Sequence, residues 1–315
     1  MSNLQFRSDK NLLSVALDAE REMYEKLEEV AKGRSAGLII SGPPGSGKSY
    51  SSEEYLKGMP GLEHIEDVIF EKDIDKDSPT YKEYIEIKKI KKPGPLVRKS
   101  RYAPWSLTRD FWRNPKSNNI LMIDDNDIAL QDLDFVGLIM SATEQNAVRT
   151  IDYNLKMMKE LSMEGVTAKF DYDGGVVILT NYNMRDVARE GAKGYKKYYE
   201  RWRALCSRLG GQYVDLKLDD PRALMIFLEH RIRTTRQLTK SKWLKKAFGT
   251  DGISKDEQEE VFDFVRLLME KQALVQDLDL RIYNKIASYV ITYPKKPKQW
   301  KARSIRDLCH RGTSI

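Results

Sequence analysis

The sequence has 315 residues, 32% of them charged and 41% hydrophobic, a formal excess of seven positive charges, and only two cysteines, Cys206 and Cys309. No apolar run approaches the roughly 20 residues needed to cross a bilayer, and two distant thiols without CxxC or histidine spacing exclude a zinc site or a disulfide framework. The length suits about two domains, the opening Met-Ser-Asn-Leu-Gln-Phe lacks the apolar segment of a secretory signal, and a reducing cytoplasm is the expected setting.

Residues 9–32 repeat apolar side chains near helical spacing (Leu12, Leu13, Val15, Ala16, Ala19, Met23, Leu27, Val30), which predicts an amphipathic helix beside the first strand. That strand, Leu38-Ile39-Ile40, runs into Gly42-Pro43-Pro44-Gly45-Ser46-Gly47-Lys48-Ser49, which matches every fixed position of a P-loop. Glycines at 42, 45 and 47 let successive backbone N–H groups turn inward on a triphosphate. Lys48 would then reach the β and γ phosphates, Ser49 would offer its hydroxyl to Mg²⁺, and the helix starting here would aim its positive end at the same anion. Gly58-Met59-Pro60-Gly61 should stop that helix after about Lys57.

Residues 62–117 are a basic insertion with mixed signals. Val68-Ile69-Phe70 and Tyr84-Ile85-Glu86-Ile87 are both strand candidates, and one of them is expected in the central sheet. Past Lys92, the Pro93-Gly94-Pro95 run predicts irregular chain. Ser106 is the expected N-cap of a short helix through Trp112. Between Lys88 and Arg101 stand seven basic residues and no acid, so this stretch alone equals the whole net charge.

Ile120-Leu121-Met122-Ile123 predicts a buried parallel strand ending in Asp124 and Asp125, about 75 residues beyond the glycine loop. Asp124 is placed to partner the Mg²⁺ held by Ser49, and Asp125 to polarise an attacking water. A helix over 132–149, a polar connection with a possible hairpin over 150–172, and a third buried strand over 174–181 follow. Asn181 closes that strand, where it can equally serve as a turn former. A basic aromatic helix over 194–209 and an alternating strand over 213–218 complete the alternation. From Asp219 on only helices are predicted, about 221–238, 255–275, 277–291 and 299–310, which sets a domain boundary there.

This order of parts resembles the AAA+ ATPases over nearly the whole chain. The resemblance implies an α/β fold, a P-loop NTPase αβα sandwich (residues 1–219) around a parallel sheet in the order 5-1-4-3-2, followed by a small all-α lid (220–315). It implies ATP and Mg²⁺ as ligands, Gly42 to Ser49 as Walker A, and Ile120 to Asp125 as Walker B. Asn181 corresponds to sensor 1, which orients the lytic water. Ala204-Leu205-Cys206-Ser207-Arg208 is similar to the segment bearing an arginine finger, so Arg208, with Arg201 and Arg203 as neighbours on the same helix, would serve an adjoining subunit. Leu278-Asp279-Leu280-Arg281 is similar to the sensor 2 region and puts Arg281 forward as the lid arginine. The second Walker B acid is usually glutamate, and Asp125 is one methylene shorter, which implies slow or partner-stimulated hydrolysis. The Asp124-Asp125-Asn126-Asp127 run and the closing Pro-Lys-Gln-Trp300 segment are similar to AAA+ proteins encoded by phages, which would put the chain in a host cytoplasm.

A trans-acting arginine implies a homo-oligomer, with a hexamer carried over from the family. The family's channel-facing loop falls at Lys88 to Trp105, where Lys88, Lys89, Lys91, Lys92, Arg98, Lys99 and Arg101, with Tyr102 and Trp105, would track and stack on nucleic acid. A solvated basic face or a subunit contact is the plainer account of the same charges. The expected function is therefore an ATP-hydrolysing motor or switch acting on nucleic acid or a nucleoprotein complex. The alternative is a protein remodeller that grips a polypeptide with Tyr102 or Trp105.

Overall fold

A computed structural model describes residues 8–71, 85–99, 102–126, 132–145, 148–153, 165–182, 196–209, 211–274 and 278–310, with backbone alone at 67–71, 85–88, 196–199, 201 and 202. The chain divides into two compact units: one of Arg21–Ser41 and Lys48–Asp215, the other of Met1–Glu20, Gly42–Gly47 and Leu216–Ile315.

In chain order the first unit takes the part of α1 (Asp9–Ala31) from Arg21 on, then β1 (Gly37–Ser41), α2 (Lys48–Lys57), β2 (Glu63–Glu71), β3 (Ile85–Pro93), β4 (Leu96–Lys99), α3 (Pro104–Arg113), β5 (Ile120–Asp124) and α4 (Leu133–Ala142). It continues with β6 (Thr150–Asp152), β7 (Lys169–Asp171), β8 (Gly175–Thr180), α5 (Lys196–Arg208) and β9 (Tyr213–Asp215). Five strands form one parallel sheet in the order β4-β5-β8-β1-β9. Counted by core strand along the chain, that order is 5-1-4-3-2 read from β9, the order expected from the sequence. The three central strands are buried at every position, which is why β1, β5 and β8 read as continuous apolar runs rather than as alternation. Phe111, Phe135, Leu138, Ile139 and Tyr172 close the core on the helices' side.

The second core strand departs from the sequence reading. Neither Val68-Ile69-Phe70 nor the Tyr84–Ile87 stretch joins the central sheet; β2 and β3 pair antiparallel with each other as a separate two-stranded ribbon. The sheet instead takes Leu96 to Lys99, inside the stretch expected to be irregular. Pro93-Gly94-Pro95 ends the ribbon without ending regular structure. Gly94 sits at φ +86°, donates its N–H to Leu62 O at 2.8 Å and offers its carbonyl to His64 Nδ1 at 3.0 Å. The chain so redirected pairs at once with β5.

Smaller departures have local causes. α3 starts at Pro104 after Ala103, not at a Ser106 cap. α4 stops at Ala142, because Arg149 has turned away to donate to the carbonyls of Ala142 (2.7 Å) and Gly174 (2.9 Å). The hairpin foreseen in 150–172 is the β6–β7 pair.

The second unit is helical: α6 (Pro221–Thr235), α7 (Lys242–Phe248), α8 (Lys255–Glu270), α9 (Leu280–Thr292) and α10 (Pro297–Leu308). Each of the first four begins at a residue whose side chain accepts a backbone N–H of the first turn, namely Asp220, Ser241, Ser254 and Asp279. α7 was not foreseen. Trp300, in the basic tail, is 2% exposed and meets Phe264 edge to face with centroids 5.2 Å apart, so it belongs to the core of this unit.

Candidate functional site

The sheet order brings the predicted residues to one edge. β1 pairs with β8 up to Ser41↔Thr180, so the segments leaving these strands start side by side, and Lys48 Nζ donates to Asn181 Oδ1 at 2.6 Å. The turn carrying Asn181 is held by Ser41 Oγ donating to Tyr182 O (2.8 Å) and by Tyr182 N donating to Thr180 Oγ1 (3.0 Å). β5 lies on the other side of β8, and its last residue, Asp124, accepts a hydrogen bond from Ser49 Oγ at 2.8 Å. β4 is next, in register Lys99↔Asp124, with Lys99 Nζ 3.8 Å from Asp124 Oδ2. Lys48, Ser49, Asp124 and Asn181 thus stand together at the carboxyl ends of parallel strands, where open α/β sheets take their ligands.

Asp124 is 2% exposed. Burial pushes its carboxyl pKa up; the hydrogen bond from Ser49 opposes this, Asp125 adds to it, and Lys99 and Lys48 pull it down. Asp125 is exposed and has φ +52°, a left-handed backbone that a non-glycine residue adopts at a cost and that clusters at functional sites. Beside it, Asn126 is 3% exposed and its Nδ2 is buried without a hydrogen-bond partner.

Two oxygens held side by side by an octahedral Mg²⁺ at about 2.1 Å stand about 3 Å apart, so the Ser49–Asp124 pair fits that ion with little movement. The ammonium of Lys48, next in the chain to Ser49, suits a phosphate. Among the described residues no group of three or more His, Cys, Asp or Glu side chains could hold a metal by itself. A Ser49–Asp124 site would leave the other coordination positions to phosphate and water.

The glycine loop belongs to the helical unit. Gly45 and Gly47 have φ of +72° and +85°, and side chains from the helices close on both. A Cβ on Gly45 would lie 2.1 Å from Asp279 Cβ, and one on Gly47 would lie 2.8 Å from Arg231 Nη1. Arg231 donates to Ser46 O at 3.3 Å and pairs with Glu20 at 3.5 Å. Gly42 leaves room only for Leu216, whose side chain would be 3.1 Å from a Cβ there. Pro43 and Pro44 complete the loop, and Ser46 Oγ is buried without a hydrogen-bond partner.

Two of the predicted arginines are placed differently from one another. Arg208 donates to Met140 O at 3.1 Å and lines a cavity of about 470 Å³ with Ala36, Ser117, Asp173 and Gln212, all just ahead of core strands. It therefore stands at the opposite edge of the sheet from Lys48. Arg203 is exposed, and the side chain of Arg201 lies outside the described residues. Arg281 is 85% exposed, 3.9 Å from Asp279, whereas the arginine at the loop is Arg231. No sequence signal separated Arg231 from the other arginines of its helix; only packing does. Lys99 could have been found once 96–99 was recognised as a core strand, since it ends β4 as Asp124 ends β5.

The residues of the expected nucleic-acid loop have partners of their own. The seven cations are clustered along the chain, and two of them meet acids across the ribbon: Lys91 pairs with Glu63 (2.5 Å) and Lys92 with Glu66 (2.6 Å). Lys89 lies over the Trp112 ring. Arg98 is forked onto the buried Asp110 at 2.6 and 3.0 Å, and Tyr102, 8% exposed, donates to the same carboxylate. Tyr102 is therefore buried away from a base or a polypeptide. Trp105 packs on the core under Arg109. The side chain of Lys88 and all of Arg101 lie outside the described residues.

Fold and edge together define an α/β protein with an all-parallel five-stranded sheet and a glycine-rich loop leading into a helix. No family model matches the chain, and no solved structure matches it. It is similar to a protein of Enterobacteria phage T4 described as an uncharacterized 36.7 kDa protein in the nrdC-mobD intergenic region, 23% identical over 302 residues, 91% of this chain and 78% of the phage protein. No helix among the described residues is long and apolar enough to cross a membrane.

Proposed function

We propose that the chain is a Mg²⁺-dependent ATPase of the AAA+ type that works as a homo-oligomeric ring, hexameric by family resemblance, in the host cytoplasm of a phage. The observation that carries this reading is the row Lys48, Ser49, Asp124 and Asn181 at the carboxyl edge of a 5-1-4-3-2 sheet. Bound Mg²⁺ would neutralise phosphate charge. Lys48 would exchange Asn181 for the β and γ phosphates, freeing the Asn181 amide to orient water. Asp125 would accept the proton of that water, and Arg208, remote from its own Lys48, would act on the site of a neighbour.

The substrate we infer is nucleic acid or a nucleoprotein complex, on the +7 net charge and the phage likeness. The cross-ribbon acid pairs favour the second reading, a protein remodeller, because they offset the charges of Lys91 and Lys92 with Glu63 and Glu66. The test is ATP turnover with and without single-stranded DNA, double-stranded DNA, RNA and unfolded protein at two salt concentrations. Stimulation by nucleic acid that vanishes between about 50 and 200 mM salt supports the first substrate; stimulation by protein alone supports the second. Lys48→Ala should lose nucleotide binding or turnover, and full activity in that variant would remove the loop from the mechanism.

A further inference from the structure

Asp124 is almost wholly buried, and its two oxygens have different neighbours. Oδ1 takes the Ser49 hydroxyl at 2.8 Å; Oδ2 faces Lys99 Nζ at 3.8 Å. Lys99 is fixed opposite Asp124 by the β4–β5 register, but its side chain is 53% exposed and its ammonium also lies 3.9 Å from Glu53 Oε2 on α2. The lysine is thus shared between a buried acid at the strand end and a more exposed acid on the helix. A buried carboxylate needs a compensating charge, and a half-exposed lysine at this spacing supplies one without being locked in place.

We propose that Lys99 is a built-in counter-ion for Asp124 that Mg²⁺ must displace toward Glu53, so that the site has a magnesium threshold set by the second core strand. This rests on the reading of Ser49 and Asp124 as the magnesium pair. Two cations cannot share one carboxylate face without repelling each other at short range. A divalent ion entering between Ser49 Oγ and Asp124 therefore works against the ammonium already there, and Glu53 gives that ammonium a second resting place. Lys99 is a positioning residue in this scheme: it sets the occupancy of Asp124 and does not touch the reacting atoms.

The test uses the full chain and Lys99→Met, which keeps the aliphatic stem. Binding of a fluorescent ATP analogue is followed as free Mg²⁺ is raised. The Mg²⁺ giving half-maximal binding should fall about tenfold in the variant, the scale of one like-charge contact near 4 Å at a partly exposed site. An unchanged midpoint overturns the proposal, and a higher one does so too, by assigning Lys99 to the phosphates. In nucleotide-free protein, Lys99→Met should lower Tm in the wild-type background but not in Asp124→Asn; an equal loss in both backgrounds overturns the pairing. If wild-type protein binds the analogue with no Mg²⁺ dependence at all, the magnesium reading of Ser49 and Asp124 fails and the threshold fails with it. A normal wild-type midpoint with no effect of Lys99→Met sinks only the counter-ion.

Discussion

Burial raises the carboxyl pKa of Asp124 above its ordinary value, against the pull of the Ser49 hydrogen bond. Between the unfolded value and the raised folded one, the native chain binds the extra proton, so stability from this group falls as pH rises through that window. Asp124→Asn removes the buried charge and keeps an acceptor for Ser49. The Mg²⁺-free variant should melt at or above the wild-type temperature near neutral pH, with the difference shrinking toward about pH 4. A lower Tm at neutral pH would mean that the carboxylate is better compensated than its burial implies. The same variant should lose about tenfold or more in Mg²⁺-dependent nucleotide affinity. Asp125 separates function from stability in the opposite sense. Asparagine tolerates positive φ as well as aspartate does, so Asp125→Asn should keep its melting temperature while turnover drops by about a hundredfold or more. Turnover near wild type would assign water activation elsewhere.

At the scale of elements, β1, β5 and β8 were legible because a strand buried on both faces has to be apolar throughout, as Leu38–Ile40, Ile120–Ile123 and Val176–Leu179 are. Their ends were legible from the same pattern: polar residues resume where the apolar run stops, at Asp124 after Ile123 and at Thr180-Asn181 after Leu179, although Asp124 and Thr180 are still buried. β4 was not legible. It has only four residues, two of them basic, and sits at the sheet edge with the partly exposed pattern of an ordinary loop. Nor could the charge run of 88–101 disclose its partners, since Glu63 and Glu66 lie more than twenty residues away and meet the lysines only through antiparallel register. The place of Arg231 was hidden for a related cause, because helical spacing gives no sign of which arginine a loop carbonyl will meet. Arg231→Lys keeps the charge but loses the Nη1 that reaches both Ser46 O and Glu20. It should weaken ATP-analogue binding several-fold, while Arg281→Ala leaves binding within about twofold, as expected of an exposed charge. The reverse order in a titration would return the role to Arg281.

At the scale of the whole molecule, the sequence shows a change from alternating strands and helices to helices alone near residue 219, whereas the helical unit also takes Met1–Glu20 and Gly42–Gly47. The grouping of Gly42–Gly47 with the helices was not visible, since it depends on Asp279 and Arg231 closing on glycines far away in the chain. The separation of Lys48 and Arg208 to opposite edges of one sheet bears on assembly. Arg208→Ala and Lys48→Ala proteins, each inactive alone, should recover part of the turnover when mixed, because some interfaces then join an intact loop to an intact arginine; no recovery would confine Arg208 to its bond with Met140. On the proposed reading of Arg208, the same separation would give each subunit a donor end and an acceptor end. In an open row of n copies one loop always lacks its arginine, so only n − 1 sites can fire, whereas closing the row completes all n. Specific activity should accordingly climb with protein concentration and level off at closure, making ring completion itself a kinetic event.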